Sequence, residues 1–256
     1  MKISVLMPIY NEAELVEKVL ERVRQMPAEK ELILVDDCST DGTREILKRE
    51  EGKPGTVVLY HSENQGKGGA IRTGLTAVTG DIVIIQDADF EYDPAEIPQV
   101  VRPIAEGAAR VAFGSRFTGK VIGMRLPNRI ANAILVWTVR LLYGSRLTDE
   151  ATAYKAFKAD LICRLPLRCR RFEFCPEVTA LALRLGETIA ETPITYRART
   201  FEEGKKIGWR DFVTAMRYLI SYRFRKVRLL DTPVNAGARN AADSATARQS
   251  TTNRHG

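Results

Sequence analysis

The chain has 256 residues, of which 45% are hydrophobic, and its net charge is +7. This length suits one domain with an ordinary core, and the basic charge indicates an anionic partner: a phosphorylated ligand, a nucleic acid or an anionic membrane. The two histidines, His61 and His255, are too few to favour a histidine base or a histidine-rich metal site. The sequence predicts no signal peptide and no membrane span, and its four cysteines, which lack zinc-ligand spacing, indicate reduced thiols.

Strand-like and helical patterns alternate over the first 90 residues. The apolar, strand-like runs cover residues 3–8, 32–36, 57–60 and 82–86. The segments with helical spacing or composition cover residues 14–25, 41–51 and 67–78. This alternation predicts an α/β fold with a mostly parallel sheet covered by helices. The strands are nearly continuous in Val, Ile and Leu, which fits a sheet that is buried on both faces.

The second half of the chain has a less regular pattern. It predicts another strand at 111–116 and amphipathic helices at 129–143 and 211–227. From residue 231 onward the composition changes to Ala, Ser, Thr, Asn and Arg, with almost no large apolar side chains. We therefore predict one domain over 1–230 and a disordered polar tail over 231–256.

Two carboxylates, Asp87 and Asp89, follow the apolar run at 82–85. Strand side chains repeat every two residues, so both carboxylates point to the same side if the strand geometry persists. Mg²⁺ and Mn²⁺ take such oxygen ligands and keep positions open for substrate phosphates. The sequence therefore predicts a Mg²⁺ or Mn²⁺ site at the carboxyl edge of the sheet. The alternative is a solvated acidic turn.

Polar clusters also follow the first and second strands, at 8–12 and 35–43. The carboxyl ends of parallel strands meet at one edge, so these clusters favour a ligand site there, although the second also reads as a capping turn. Asp36 or Asp37 can accept hydrogen bonds from a base or a ribose. The glycines and lysine of 64–70 stand at a helix start and can hold a phosphate there.

Together, these motifs resemble glycosyltransferase family 2, which has the GT-A fold. The matching motifs are PIYNE (8–12), VDDCSTDGT (35–43), NQGKG (64–68) and QDAD (86–89). Over most of its length the chain is similar to the dolichol-phosphate mannosyltransferase branch. Arg116 resembles the arginine of that branch that meets the acceptor phosphate. The segment at 148–157 is similar to the Asp-Pro-Thr-Ser-Gly-Phe-Arg motif of the branch. Glu150, Ala153 and Lys155 depart from that motif, which bears on the identity of the sugar.

The resemblance implies metal-dependent, inverting transfer of a sugar from a nucleoside-diphosphate sugar, with GDP-mannose favoured, to a polyprenyl or dolichyl phosphate. The implied metal ligands are Asp87, Asp89 and Glu91. The implied catalytic residues are Asp87, Asp89 and Arg116. The implied donor-binding residues are Pro8, Tyr10, Glu12, Asp36, Asp37, Lys67, Asp87 and Ala88. The candidates for binding the acceptor phosphate are Arg116, Arg197, Lys205 and Lys206.

A lipid acceptor requires access to a membrane. Residues 209–228 combine apolar side chains at near-helical spacing with six basic ones. This pattern suits a helix at an anionic membrane interface, and the alternative is a helix packed on the core with a solvated basic face. We therefore expect a cytoplasmic protein attached peripherally to the cytoplasmic membrane face, directly or through a membrane-protein partner.

Two other functions remain open. A family-2 enzyme with UDP-glucose or another donor and a soluble or polysaccharide acceptor would need a general base such as Asp149, Glu150 or Glu173. A basic nucleic-acid-binding protein is the non-enzyme alternative. The basic residues do not cluster with stacking aromatics, so we expect no nucleic-acid partner.

Overall fold

The computed structural model describes residues 1–199 and 208–242. In chain order the elements are β1 (Ile3–Ile9), α1 (Val16–Gln25), β2 (Lys30–Asp36), α2 (Thr43–Lys48), β3 (Thr56–Tyr60), α3 (Lys67–Leu75), β4 (Ile82–Ile85), a 3₁₀ turn (Pro94–Glu96), α4 (Ile97–Ala105), β5 (Val111–Ile122), α5 (Leu126–Tyr143), β6 (Lys155–Lys158), α6 (Ala159–Ile162), α7 (Phe174–Arg184), β7 (Ile189–Arg197) and α8 (Trp209–Phe224).

The described strands form one seven-stranded sheet in the order β3-β2-β1-β4-β6-β5-β7. Neighbouring strands are parallel except at β6, which runs antiparallel to both β4 and β5. The predicted fold is therefore confirmed: the sheet is mostly parallel and helices flank it. The carboxyl ends of β1, β2 and β4 share one edge, as the alternating pattern requires.

Apolar layers cover both faces of the sheet. Neighbouring residues of β1 point to opposite faces, so Leu6 packs with α3 and α7 while Val5 packs with α1 and α4. Helix α3 lies very close to the sheet, since a Cβ on Gly74 would approach the Leu6 side chain to 2.8 Å. Burial on both faces explains why the strands lack polar alternation.

The strand predicted at 111–116 is the first half of a longer strand. Strand β5 runs on to Ile122, and its pairing with β7 shifts register between Ser115 and Lys120. Burial ends at Arg116, and residues 117–120 are exposed. The pattern did not predict β6, α6, α7 or β7.

The structure differs from the predicted tail over residues 231–242, part of which packs against the domain. The amide of Val234 donates to the Cys163 carbonyl, and the side chain of Asn235 is buried and donates to the Val78 carbonyl at 2.8 Å. The guanidinium of Arg239 donates to the Gly80 carbonyl at 3.1 Å. These are polar contacts, which a search for large apolar residues does not detect. Residues 243–256 lie outside the described part.

We predict that Asn235→Ala lowers the free energy of unfolding by about 1–3 kcal/mol, because it removes a buried donor from the Val78 carbonyl. Denaturant unfolding measures the change. Thr232→Ala, at an exposed position in the same segment, is the control and should leave stability unchanged. Equal stability of both variants would contradict a stabilising role of the Asn235 contact.

Candidate active site

A cavity of about 890 Å³ lies at the carboxyl edge of the sheet. Most of the residues predicted from sequence line it: Pro8, Tyr10, Glu12, Lys67, Asp37, Asp87, Ala88, Asp89, Glu91 and Arg116. These residues come from the ends of β1, β2 and β4 or the loops that follow them, from the middle of β5 and from the start of α3. The structure therefore brings together side chains that are up to 108 positions apart, the span from Pro8 to Arg116.

The acidic pair is held by two cations. Lys67 Nζ lies 2.5 Å from Asp87 Oδ1, and Arg199 Nη2 lies 2.5 Å from Asp89 Oδ2. Asp89 is buried, and burial together with the nearby Asp87 carboxylate raises the pKa of Asp89 to about 7. The end of β4 therefore concentrates negative charge that its surroundings compensate only in part.

Arg199 joins three carboxylates from two distant segments of the chain, one after β1 and the other after β4. Its guanidinium contacts Glu12 at 3.0 Å as well as Asp89, and its backbone amide donates to Glu91 at 2.9 Å. Sequence analysis did not select Arg199. It lies two positions after β7, in a chain with 39 Lys and Arg residues, and no local pattern distinguishes it.

The carboxylates suit a divalent ion only in part. Asp87 and Asp89 offer oxygen donors, and the raised pKa of Asp89 indicates excess negative charge, which a cation would compensate. Glu91, however, accepts a hydrogen bond from the Arg199 amide. Within the described ranges, no three His, Cys, Asp or Glu side chains are grouped as a metal site. Asp87 and Asp89 therefore fit a divalent ion, and Glu91 as the third ligand remains a prediction.

Asp36 and Asp37 both make internal hydrogen bonds. Asp36 is fully buried and accepts from the Arg44 guanidinium at 2.7 Å. Asp37 accepts from the amides of Gln65 and Gly66 at 2.8 Å each. Asp37 also lines the cavity, whereas Asp36 lies outside its lining. Both carboxylates hold the loops around the cavity, and their contact with a nucleotide remains a prediction.

The amides at the start of α3 do not face a ligand. Gly68 N donates to the Arg171 carbonyl and Gly69 N donates to the Arg170 carbonyl, at 3.0 and 2.8 Å. A Cβ on Gly66 would come within 2.5 Å of the Arg170 carbonyl oxygen. These glycines therefore allow the loop before α7 to approach the backbone. The predicted phosphate site at these amides is not formed, because their hydrogen bonds are used within the protein.

Arg116 forms a buried ion pair with Asp149. Its Nε and Nη2 atoms donate to the two carboxylate oxygens at 2.7 Å each, and its backbone amide donates to the same group. Burial opposes the charge of the guanidinium, but Asp149 raises its pKa well above the ordinary value. Arg116 also lies 5.0 Å from the centre of the Tyr196 ring. The residue lines the cavity, but two of its three nitrogens hold the protein together.

The other predicted acceptor residues are not brought to this cavity by the described part of the chain. Arg197 is exposed and lines a separate groove beside Arg22 and Glu91. Lys205 and Lys206 lie outside the described residues. Their role in acceptor binding remains a prediction.

The cavity has an apolar end between α5 and α8. Leu135 of α5 and Trp209, Phe212 and Ala215 of α8 line it. The two helices pack together, and the Tyr143 hydroxyl donates to the Leu219 carbonyl at 2.5 Å. The predicted amphipathic helices are thus present, and together they extend the polar site into an apolar channel.

The outer face of α5 exposes large apolar side chains. Trp137 is 69% exposed and Leu141 is 85% exposed. The remaining members of this face are Leu126, Ile130 and Ile134. Their spacing of three or four positions places them on one side of the helix. Helix α8 also exposes Trp209 and Phe224. None of the described helices combines the length and the apolar character that crossing a membrane requires.

The fold and the site define a GT-A glycosyltransferase, with an acidic pair at the edge of a mostly parallel sheet. Residues 4–161 match the family described as Glycosyl transferase family 2. The chain belongs to this family, and the prediction of a glycosyltransferase enzyme is confirmed.

Relatives with assigned names support the predicted branch. The chain is 29% identical over 218 residues to an undecaprenyl-phosphate mannosyltransferase of Micrococcus luteus. This alignment covers 81% of this chain and 88% of the relative. It is 30% identical over 212 residues to a UDP-N-acetylglucosamine–dolichyl-phosphate N-acetylglucosaminyltransferase of Methanococcus voltae. This alignment covers 75% of this chain and 84% of the relative. The predicted resemblance to polyprenyl-phosphate glycosyltransferases is confirmed.

A solved structure supports the fold. The glucosyl-3-phosphoglycerate synthase of Mycobacterium tuberculosis, in complex with Mn²⁺, UDP and phosphoglyceric acid, aligns with a TM-score of 0.67 and 21% identity. The alignment covers 91% of this chain and 87% of that one. At this identity the likeness concerns the architecture.

We predict that Arg116→Lys lowers the free energy of unfolding by about 1–3 kcal/mol, because an ammonium cannot reproduce the two parallel hydrogen bonds to buried Asp149. Arg22→Lys is the matched control. Its pair with Asp93 is exposed, at 49% and 44%, so the change should stay below about 0.5 kcal/mol. Denaturant unfolding compares the two. Similar small losses in both variants would contradict the structural role of Arg116.

Proposed function

We propose that this chain transfers a sugar from a nucleoside diphosphate to a polyprenyl phosphate. One observation carries the proposal. A single cavity joins the charged end, with Asp87, Asp89, Lys67 and Arg199, to the apolar end between α5 and α8. A donor diphosphate suits the first end, and a lipid-linked acceptor suits the second. The names of the Micrococcus and Methanococcus relatives agree with such an acceptor.

Asp87 and Asp89 are the residues that would hold Mg²⁺ or Mn²⁺. A bound ion would stabilise the negative charge that develops on the leaving diphosphate. Lys67 and Arg199 stand beside these carboxylates and carry the charge needed to pair with phosphate oxygens. Glu91 remains the proposed third ligand, which would require it to exchange its bond to the Arg199 amide.

The acceptor phosphate would act directly as the nucleophile. Its second pKa lies near 6, so it is largely a dianion at neutral pH and needs no strong base. One of its oxygens would form a bond to the anomeric carbon from the side opposite the diphosphate. The bond from that carbon to the diphosphate would break, with its electron pair leaving on the diphosphate oxygen. This displacement inverts the anomeric centre. The scarcity of histidine fits such chemistry.

GDP-mannose is the donor we propose first, since one relative is named a mannosyltransferase. UDP sugars are the alternative, since the Methanococcus relative is named for UDP-N-acetylglucosamine and the aligned synthase holds UDP. The acceptor phosphate would meet Arg116, with Arg197, Lys205 and Lys206 as further proposed contacts. The Arg116 guanidinium would then donate hydrogen bonds to Asp149 and to the acceptor phosphate at the same time.

Membrane attachment would be peripheral, from the cytoplasmic face, directly or with a membrane-protein partner. The exposed apolar face of α5 supports this proposal because large apolar patches on a protein surface mark contact sites. Arg129 and Arg140 lie on the same helix and would meet anionic head groups. The apolar end of the cavity opens beside α5 and α8, which would allow the lipid tail to remain in the bilayer.

We expect the proposed activity to appear in a screen that combines each donor with undecaprenyl or dolichyl phosphate and Mg²⁺ or Mn²⁺. Formation of a lipid-linked sugar from GDP-mannose is the expected result. Transfer from a UDP sugar to the same lipid would correct the donor but keep the acceptor. Transfer only to a soluble acceptor would overturn the proposal.

We predict that Asp89→Asn abolishes transfer, by at least about a hundredfold, while the protein remains folded, because it removes a charged oxygen ligand from the acidic pair. The rate of transfer and a thermal melt are the measurements. Asp81→Asn is the matched control, since Asp81 is exposed and immediately precedes the same strand at its opposite end. Turnover of Asp89→Asn close to that of the control would contradict the role of the acidic pair.

We predict that the double substitution Trp137→Asp and Leu141→Asp strongly reduces binding to vesicles that contain phosphatidylglycerol, because charge opposes insertion of the α5 face. Vesicle flotation measures binding. Val57→Asp is the control, since Val57 is an exposed apolar residue on β3, far from α5 in the order of elements. Unchanged flotation of the double variant would sink the assignment of this face to the membrane.

A further inference from the structure

The carboxylate of Glu150 is the least satisfied polar group around the cavity. Glu150 lies between α5 and β6, lines the cavity and is 0% exposed. In the part of the chain that the structure describes, neither of its side-chain oxygens receives a hydrogen bond. Leaving a buried carboxylate in this state costs the desolvation of a charged group, so such groups in folded proteins call for an explanation.

The neighbours of Glu150 balance its charge without donating to it. Lys155 Nζ donates to the backbone carbonyl of Glu150 at 2.9 Å, and its next contact is Thr179 Oγ1 at 3.4 Å. Thr179 is close enough to favour the ionised carboxylate, but no hydrogen bond of ordinary geometry joins them. Burial raises the pKa of Glu150 and lowers the pKa of Lys155. The oxygens of Glu150 therefore keep their capacity to accept.

Glu150 lies next to the charged end of the cavity. Lys67, Asp87, Cys175 and Glu150 all line this cavity. The order of strands agrees, because β4 carries the acidic pair and its neighbour β6 follows Glu150.

This position matches the sugar end of a bound donor. The nucleoside end would lie over β1 and β2, and the diphosphate would lie at the end of β4. The sugar would then take the next position along the sheet edge, toward β6, which neighbours β4 in the sheet. A carboxylate repels phosphate, but it accepts strong hydrogen bonds from hydroxyl groups, which a sugar supplies.

We propose that Glu150 accepts hydrogen bonds from hydroxyl groups of the transferred sugar and thereby determines which sugar is used. The inference rests on the proposed function, because it takes the ligand to be a nucleoside-diphosphate sugar. It assigns a specificity-determining role to one of the positions where the chain departs from the Asp-Pro-Thr-Ser-Gly-Phe-Arg pattern.

The test compares Glu150→Gln with the wild-type protein by calorimetry, in Mn²⁺, with GDP, GDP-mannose, UDP and UDP-glucose. For each pair, the result is expressed as the Kd of the bare nucleotide divided by the Kd of the corresponding nucleotide sugar. We expect this ratio to exceed one for a preferred donor and to fall roughly tenfold to a hundredfold in Glu150→Gln, with the Kd of the bare nucleotide unchanged. Deoxy-sugar analogues of that donor, each lacking one hydroxyl, then identify the contact. The analogue that lacks the bonded hydroxyl should have the same Kd for the wild-type protein and for Glu150→Gln.

Glu31→Gln is the matched control, since Glu31 is also buried but belongs to β2 at the opposite edge of the sheet and accepts from Ser4 and Thr79. It should leave every Kd unchanged even if it lowers the melting temperature. A ratio that is one in the wild type, or unchanged in Glu150→Gln, contradicts the assignment of Glu150 alone. Weaker Mn²⁺ binding by Glu150→Gln with an unchanged ratio makes Glu150 a cation ligand and also overturns it. Failure of the wild type to bind any of the four ligands instead contradicts the proposed function.

Discussion

The site depends on two neighbouring carboxylates at the end of one strand, Asp87, which is half-buried, and Asp89, which is buried. Burial and the neighbouring Asp87 carboxylate raise the pKa of Asp89 to about 7. Lys67 from α3 and Arg199 after β7 supply the opposing charge, and the bond from Arg199 to Asp89 spans 110 positions of sequence. Arg199 also contacts Glu12 after β1. The acidic pair thus holds α3 and the segment after β7 at the end of β4, and Arg199 adds the end of β1 through Glu12.

A second buried network surrounds Asp149, the residue before Glu150. Its carboxylates all receive hydrogen bonds, whereas that of Glu150 does not. Asp149 receives three hydrogen bonds from Arg116, and the amides of Thr148 and Asp149 donate to Glu191 of β7. The segment before β6 is therefore fixed against β5 and β7. Glu150 is the next residue and lines the cavity, and its buried carboxylate has no hydrogen-bond donor in the described chain. Because the backbone there is held by its neighbours, the protein can maintain a buried charge that would otherwise favour rearrangement.

The sequence predicted the parts of this structure that depend on local pattern. The apolar runs of β1 to β4 and the acidic pair after β4 are continuous in sequence, so strand periodicity and the topology of parallel sheets were enough to place them at one edge. It did not predict β6 and β7, or the role of Arg199, because these depend on pairing between distant segments. The glycines of 64–70 show the same limit: their composition suggested a phosphate site, whereas the carbonyls of the loop before α7 occupy the amides. Residues 231–242 dock through polar contacts, which composition alone does not reveal.

On the proposed function, Lys67 and Arg199 have two possible sets of partners. They hold Asp87 and Asp89 in the structure, and they are also the cations placed to meet a donor diphosphate. Phosphates and carboxylates compete for the hydrogen-bond donors of these two cations. A diphosphate that took both cations would leave Asp87 and the buried Asp89 without their cationic partners, which the raised pKa of Asp89 shows to be unfavourable. A divalent ion that bound Asp87 and Asp89 without a donor would deprive Lys67 of Asp87 and leave Arg199 with Glu12. Charge balance in this site therefore couples the binding of ion and donor, and the link between them is the pair of cations that the carboxylates already hold.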